Sequence, residues 1–202
     1  MVRLGIAFMA ALLLLTACEE RPEPTSEYEQ TILEERLQKD MDMRDDDVSP
    51  LSRSTRERFD GLRYFSVDES YRFEAELVAS PEPESMLVEQ RVGEPRSYQK
   101  VGRVHVPFEE DTEQLIVFRN QEESDDYWLP FRDGTTGEET YGAGRYLDVE
   151  AVSDDTLLLD FNKAYNPYCE YEPEQYNCAI PPSENQLSFD VQAGEKKSGL
   201  RD

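Results

Sequence analysis

The chain has 202 residues, 45 of them Asp or Glu against 21 Lys or Arg, with a formal net charge of −24. That length suits one medium domain with a short tail, and such acidity leaves no basic patch to displace counterions from phosphates, which excludes nucleic acid as a partner. Hydrophobic residues make up 38% and aromatic residues 10%, enough for one core and too aromatic for a disordered chain.

Residues 1–18 read MVRLGIAFMAALLLLTAC. Arg3 precedes an apolar run, Leu4 to Leu15, that is shorter than the roughly twenty residues of a membrane span. It ends in Leu15-Thr16-Ala17-Cys18, which resembles the bacterial lipobox. The resemblance implies a signal peptide over 1–18 and an acylated Cys18 as the mature N-terminus. Acyl chains there would anchor the protein to a membrane of the cell envelope, on a periplasmic or outer-membrane face. The alternative is an ordinary signal peptide with an incidental cysteine. Residues 19–26 are acidic, contain Pro22 and Pro24, and read as an extended tether. One β-rich domain is expected over 27–197, followed by a tail at 198–202. The acids are spread along the chain, and only 5 of its 21 basic residues are Lys. That pattern suits a salty environment, where net charge maintains solubility; a cation-binding surface is the rival explanation.

Ser26 and Glu29 form a capping-box pattern, and the spacing predicts a helix over 27–43. Leu33, Leu37 and Met41 fall near one face, the face expected to pack this arm on the domain. Asp45-Asp46-Asp47 opposes the helix dipole and ends it. Ser49-Pro50 marks a turn, and 52–59 reads as further helical turns. From residue 70 the period changes to two: Tyr71, Phe73, Ala75 and Leu77 alternate with charged residues. Pro81-Glu82-Pro83 is expected to end this strand. Further strands are predicted at 86–92, 100–108, 115–119, 127–131, 146–152, 156–162 and 186–192. Short strands without crossover helices predict a mainly β domain, an antiparallel β-sandwich or barrel-like fold with an N-terminal helical arm.

Besides Cys18 the chain has only Cys169 and Cys178. In an oxidising compartment two spare cysteines nine apart should form a disulfide. A zinc site would need two further ligands, and the chain has one histidine. That residue, His105, lies opposite in phase to Val104 and Val106, on the polar face of its strand. No GxSxG elbow accompanies it, so a histidine-based nucleophile triad is not indicated.

The C-terminal third concentrates the remaining candidates. It reads YWLPFRD at 127–133, GEETYGAGRYLD at 137–148, LDFNKAYNPYC at 159–169, CAIPPSENQL at 178–187 and AGEK at 193–196. Arg145 can offer its planar fork to a carboxylate. Asp160 and Asn162 lie two apart and share a strand face. Candidate binding or catalytic residues are Asp133, Tyr141, Arg145, Asp160, Asn162, Tyr165, Asn166, Glu184 and Asn185. Arg145 and Asp160 are expected to meet, directly or through one bridging residue, near the stapled loop.

These motifs, with FDGL at 59–62, YF at 64–65 and DESYR at 68–72, are similar to those of domain-of-unknown-function family 1684. The resemblance runs over about 27–197. The family carries no established activity, so it implies no ligand or catalytic role. Three readings of the polar cluster follow from its chemistry. One is a pocket whose carboxylates act as general acid and base. A second is a calcium site built on Asp160, Asn162, Asn166 and Glu184. The third is structural: amides and charges tie turns and the stapled loop together. The combined reading is an envelope lipoprotein serving as a non-enzymatic binding or structural module, with a carboxylate-dependent hydrolase as the alternative. No metal or other cofactor is called for beyond the calcium alternative. The residues name no ligand and no oligomeric state.

Overall fold

The computed structural model describes residues 24–108, 111–119 and 127–200. The leader and Cys18 lie outside the described residues. Helix α1 spans Glu27–Arg44 and a one-turn helix α2 spans Arg53–Arg56. Six strands follow: β1 Arg72–Val88, β2 Arg96–Phe108, β3 Asp111–Arg119, β4 Tyr127–Phe131, β5 Arg145–Ser153 and β6 Thr156–Asp160. They close into an antiparallel barrel in the order β1-β2-β3-β4-β5-β6, completing the barrel-like alternative read from the sequence.

Closure depends on the length of β1. Its first five residues, Arg72–Glu76, pair with β6, and residues from Leu77 onward pair with β2. One strand thereby serves both sides of the seam. Residues 72–88 form a single strand, so Pro81-Glu82-Pro83 does not end it. The prolines fall where the register against β2 shifts, between Ala79 and Glu84. A bulge there asks no ladder hydrogen bond of an imino nitrogen. Gly102 faces this bend. A Cβ on it would lie 2.4 Å from the Val78 carbonyl oxygen, so the close strand approach requires glycine.

Inward residues alternate as the period-two pattern demands. Ala75, Leu77, Val104, Val106, Leu115, Val117, Leu129, Phe131, Leu147, Val149, Leu157 and Leu159 fill the barrel. Strand β3 is buried on both faces over Leu115–Phe118, because Ile116 and Phe118 join Val88, Trp128, Tyr146 and Ala179 in a second, outer cluster. The region 186–192 is not a strand. It pairs with the barrel through one parallel bridge, Arg132 to Gln186, and sends Leu187 and Val191 into the core from one end. Its backbone bonds to the residues just past β4: the Leu187 amide donates to the Arg132 carbonyl and the Phe189 carbonyl accepts from the Gly134 amide, both at 2.8 Å.

Helix α1 is capped as the sequence implies. Ser26 accepts from the Glu29 amide at 3.1 Å, and the Glu29 carboxylate reaches back to the Thr25 amide at 2.7 Å. Its orientation is not the expected one. Leu33, Leu37 and Met41 are 40%, 57% and 55% exposed, and the helix docks by Ile32, Met43 and long polar side chains. The Tyr28 hydroxyl donates to Asp160, the Arg36 guanidinium to the Phe65 and Asn162 carbonyls, and Lys39 to Glu195. Buried acceptors on the barrel end select the polar face, since leaving them unpaired would cost more than exposing three partly covered apolar side chains.

Cys169 and Cys178 are joined by a 2.04 Å S–S bond, as the spacing predicts. The enclosed loop returns to the body through Asn177, whose side chain bonds the Val92 amide and carbonyl, and through the Tyr176 hydroxyl on the Pro50 carbonyl. Replacing both cysteines by serine is expected to lower the unfolding free energy by about 2.7 kcal/mol through loop-closure entropy. Urea titration of the double variant measures it. A loss under about 0.5 kcal/mol would mean that these hydrogen bonds already order the loop without the crosslink.

Candidate functional site

Arg145 starts β5 and points into the end of the barrel, where it is 1% exposed. Its guanidinium donates to Asp133 Oδ2 at 2.6 Å and to the carbonyls of Val191, Ala193 and Glu195 at 2.9, 2.5 and 3.2 Å. Phe131 lies under the cation, 5.2 Å from its centre. Burial pulls the arginine pKa down, and the Asp133 charge opposes that shift. Asp133 is held in turn by the Thr135 amide and hydroxyl at 2.6 and 2.5 Å. The expected pairing of Arg145 with Asp160 is thus corrected: Asp133 takes the guanidinium. The carbonyls of Val191, Ala193 and Glu195 converge on this cation and hold the end of the segment that follows 186–190.

Gly194 makes the approach possible. Its φ is +76°, and a Cβ would lie 2.5 Å from the Ala164 carbonyl oxygen and 2.7 Å from that of Phe161. Among Ala193-Gly194-Glu195-Lys196, each residue therefore has a backbone or side-chain duty at the barrel end.

The asparagines act as substitutes for backbone. Among the described residues, strands β3 and β4 pair at Phe118–Trp128 and Arg119–Tyr127. Beyond that point Asn185 bridges them: its side chain accepts from the Ile116 amide at 2.7 Å and donates to the Ile116 and Pro130 carbonyls at 2.9 and 2.7 Å. Asn162 does the same for Asp68, accepting from its amide at 2.9 Å and donating to its carbonyl at 2.8 Å. Asn166 donates to the Lys196 carbonyl at 2.8 Å and, through its amide, to Glu195 Oε2 at 2.8 Å.

Asp160 ends β6 beside Asn162 and faces α1. Its Oδ1 accepts from the Tyr28 hydroxyl at 2.8 Å and the Asn162 amide at 3.1 Å, and its Oδ2 stands 3.8 Å from Arg72 Nε. It lines a cleft of about 170 Å³ beneath α1, with Asp148, Glu150 and Lys163. Burial, then Asp160, pushes the Tyr28 phenol well above its usual pKa. Tyr165 donates to Asp148 at 3.0 Å and Tyr141 is buried. Glu184 is exposed on the surface and accepts from Ser183 at 3.0 Å. Of the donors proposed for calcium, Asp160 and Asn162 bond to each other while Asn166 and Glu184 have other partners, and among the described residues no three His, Cys, Asp or Glu side chains are placed to share a metal ion.

Glu195 was not singled out from the sequence, yet it organises the second polar centre. Its carboxylate is 1% exposed and accepts from Lys39 Nζ at 2.5 Å, Tyr171 Oη at 2.7 Å and the Asn166 amide at 2.8 Å. Burial and then the Glu195 charge raise the pKa of both Tyr171 and Tyr64. The AGEK motif was the signal, but a lone glutamate near the end of the domain gives no indication that it will be buried.

A small closed β-barrel, locked at one end by buried charges and closed over by a polar-docked helix, is the class that this geometry defines. The family described as protein of unknown function (DUF1684) matches residues 57–196, and the chain belongs to that family. An uncharacterized protein of Haloarcula marismortui, solved by solution NMR, is 34% identical, with a TM-score of 0.65; the match covers 84% of this chain and 94% of that one. No curated protein matches.

Proposed function

We propose that this is a lipid-anchored protein of the cell envelope whose barrel serves as a non-enzymatic binding or structural module. The observation that carries the module reading is the disposition of the polar residues. Arg145, Asp133, Asn162 and Asn185 are buried and bonded to the chain's own backbone or to each other, out of reach of a substrate. A hydrolase would need such groups converging on an open cleft. The envelope assignment rests on the Leu-Thr-Ala-Cys run at 15–18 and is supported by a disulfide suited to an oxidising compartment.

Cys18→Ser is the decisive variant. The unaltered protein should fractionate with membranes, and mass spectrometry should find a diacyl or triacyl N-terminus on Cys18. The serine variant should appear in the soluble fraction. Its continued attachment to membranes would refute the lipid anchor.

A further inference from the structure

We propose that a cavity at the Arg145 end of the barrel, between the start of β1, the end of β2 and residues 189–191, holds a hydrocarbon chain, drawn from a lipid of the bilayer to which Cys18 anchors the protein. The cavity, of about 250 Å³, is lined by Tyr71, Phe73, Val106, Phe161, Phe189 and Val191. Val106, Phe161 and Val191 are buried and form its floor; Tyr71, Phe73 and Phe189 are half-buried walls. The hydroxyls at its rim are already committed, Ser70 to Asp68 at 2.7 Å and Tyr71 to the Asp190 carbonyl at 3.4 Å. Water filling this space, about eight molecules by volume, would find few polar partners. An apolar guest that releases it is favoured, and barrel mouths are a recurrent place for such sites.

The rim restricts the head group. Asp68 and Glu69 are exposed acids beside Ser70, in a chain of net charge −24. An uncharged or cationic head fits, and an anionic one is repelled. The rim also lies near the anchor. Ser26 donates to Glu69 at 2.9 Å, so the entry to α1 sits beside Ser70. Cys18 is eight residues upstream of Ser26, at most about 29 Å even when fully extended. The source of the lipid rests on the anchor reading; the pocket does not.

The test uses the full chain carrying Cys18→Ser, which has no acyl chain of its own. Decyltrimethylammonium, decyl maltoside and decanoate are titrated below their self-association concentrations, with the Val106 and Val191 methyl resonances as readout. The cationic and uncharged probes should shift both methyls and bind at least ten-fold more tightly than decanoate. Shortening the chain should weaken binding about four-fold per methylene. Ser70→Trp, at the exposed rim, should weaken it at least ten-fold, with circular dichroism checking the fold. Unmoved methyls would overturn the pocket whatever Ser70→Trp does; equal binding of decanoate would overturn the head-group preference. For the source, acylated protein in nanodiscs containing lipid spin-labelled at the chain terminus should show broadened Val106 and Val191 methyls. Sharp methyls in that sample overturn the bilayer source. Mass spectrometry of Cys18 reports separately whether the anchor itself exists.

Discussion

Arg145→Met should lower the unfolding free energy by about 3–5 kcal/mol, a large share of the roughly 5–15 kcal/mol that holds a domain. Methionine preserves apolar bulk but strands a buried carboxylate and removes the donors to three carbonyls. Arg145→Lys keeps the charge without the planar fork, so it should recover only part of the loss. Asp133→Asn removes the opposite charge while leaving the Thr135 contacts in reach. The double variant Arg145→Met, Asp133→Asn should lose less than the two single losses added, because neither residue is then left as an unpaired buried ion. Urea titration of the four proteins gives the cycle. Hydrogen exchange should show residues 187–196 opening before the barrel strands. A loss below about 1 kcal/mol for Arg145→Met would place the strength of the barrel end elsewhere.

Above about pH 10 the protein should lose stability by up to about 2.7 kcal/mol per pH unit. Tyr64 and Tyr171 have folded pKa values raised above the ordinary 10.0, by burial first and the Glu195 charge second. In the unfolded chain both phenols ionise near pH 10; in the folded chain both stay protonated. A raised folded pKa gives stability that is complete below the unfolded value and lost as pH rises toward the folded one. Tyr28 is raised in the same direction but is less buried, and solvent screening reduces its share. The measurement is the urea midpoint between about pH 9 and 11.5, for the wild type and for Tyr64→Phe with Tyr171→Phe. Lysine deprotonation falls in the same range and affects both proteins, so the difference in slope isolates the phenols. An unchanged slope in the double variant would reject the buried, protonated tyrosines.

Local chemistry made much of the fold legible in the sequence. The helix start followed from Ser26 and Glu29, since a cap is satisfied within four residues. Alternation at Phe73, Ala75 and Leu77 and at Val104 and Val106 marked the strands, because side-chain direction has a fixed period of two. The crosslink needed only two remaining cysteines. The motifs around Asp133, Arg145, Asn162, Asn166 and Asn185 marked the region that organises the barrel end.

What those residues bond to was decided only by the tertiary structure. A guanidinium can pair with any carboxylate that the chain brings near; the closure of the barrel brought Asp133 rather than Asp160. Alternation at Leu187, Phe189 and Val191 gave no sign that the backbone of the first two would bond to Arg132 and Gly134, and the Val191 carbonyl to Arg145, rather than to a strand. Pro81 and Pro83 looked like a strand end because the bulge that accommodates them exists only in the pairing with β2. The exposed face of α1 and the burial of Glu195 have one cause. The sequence determined that this helix has an apolar ridge and a polar face; the buried acceptors of the folded barrel decided which of them turns inward.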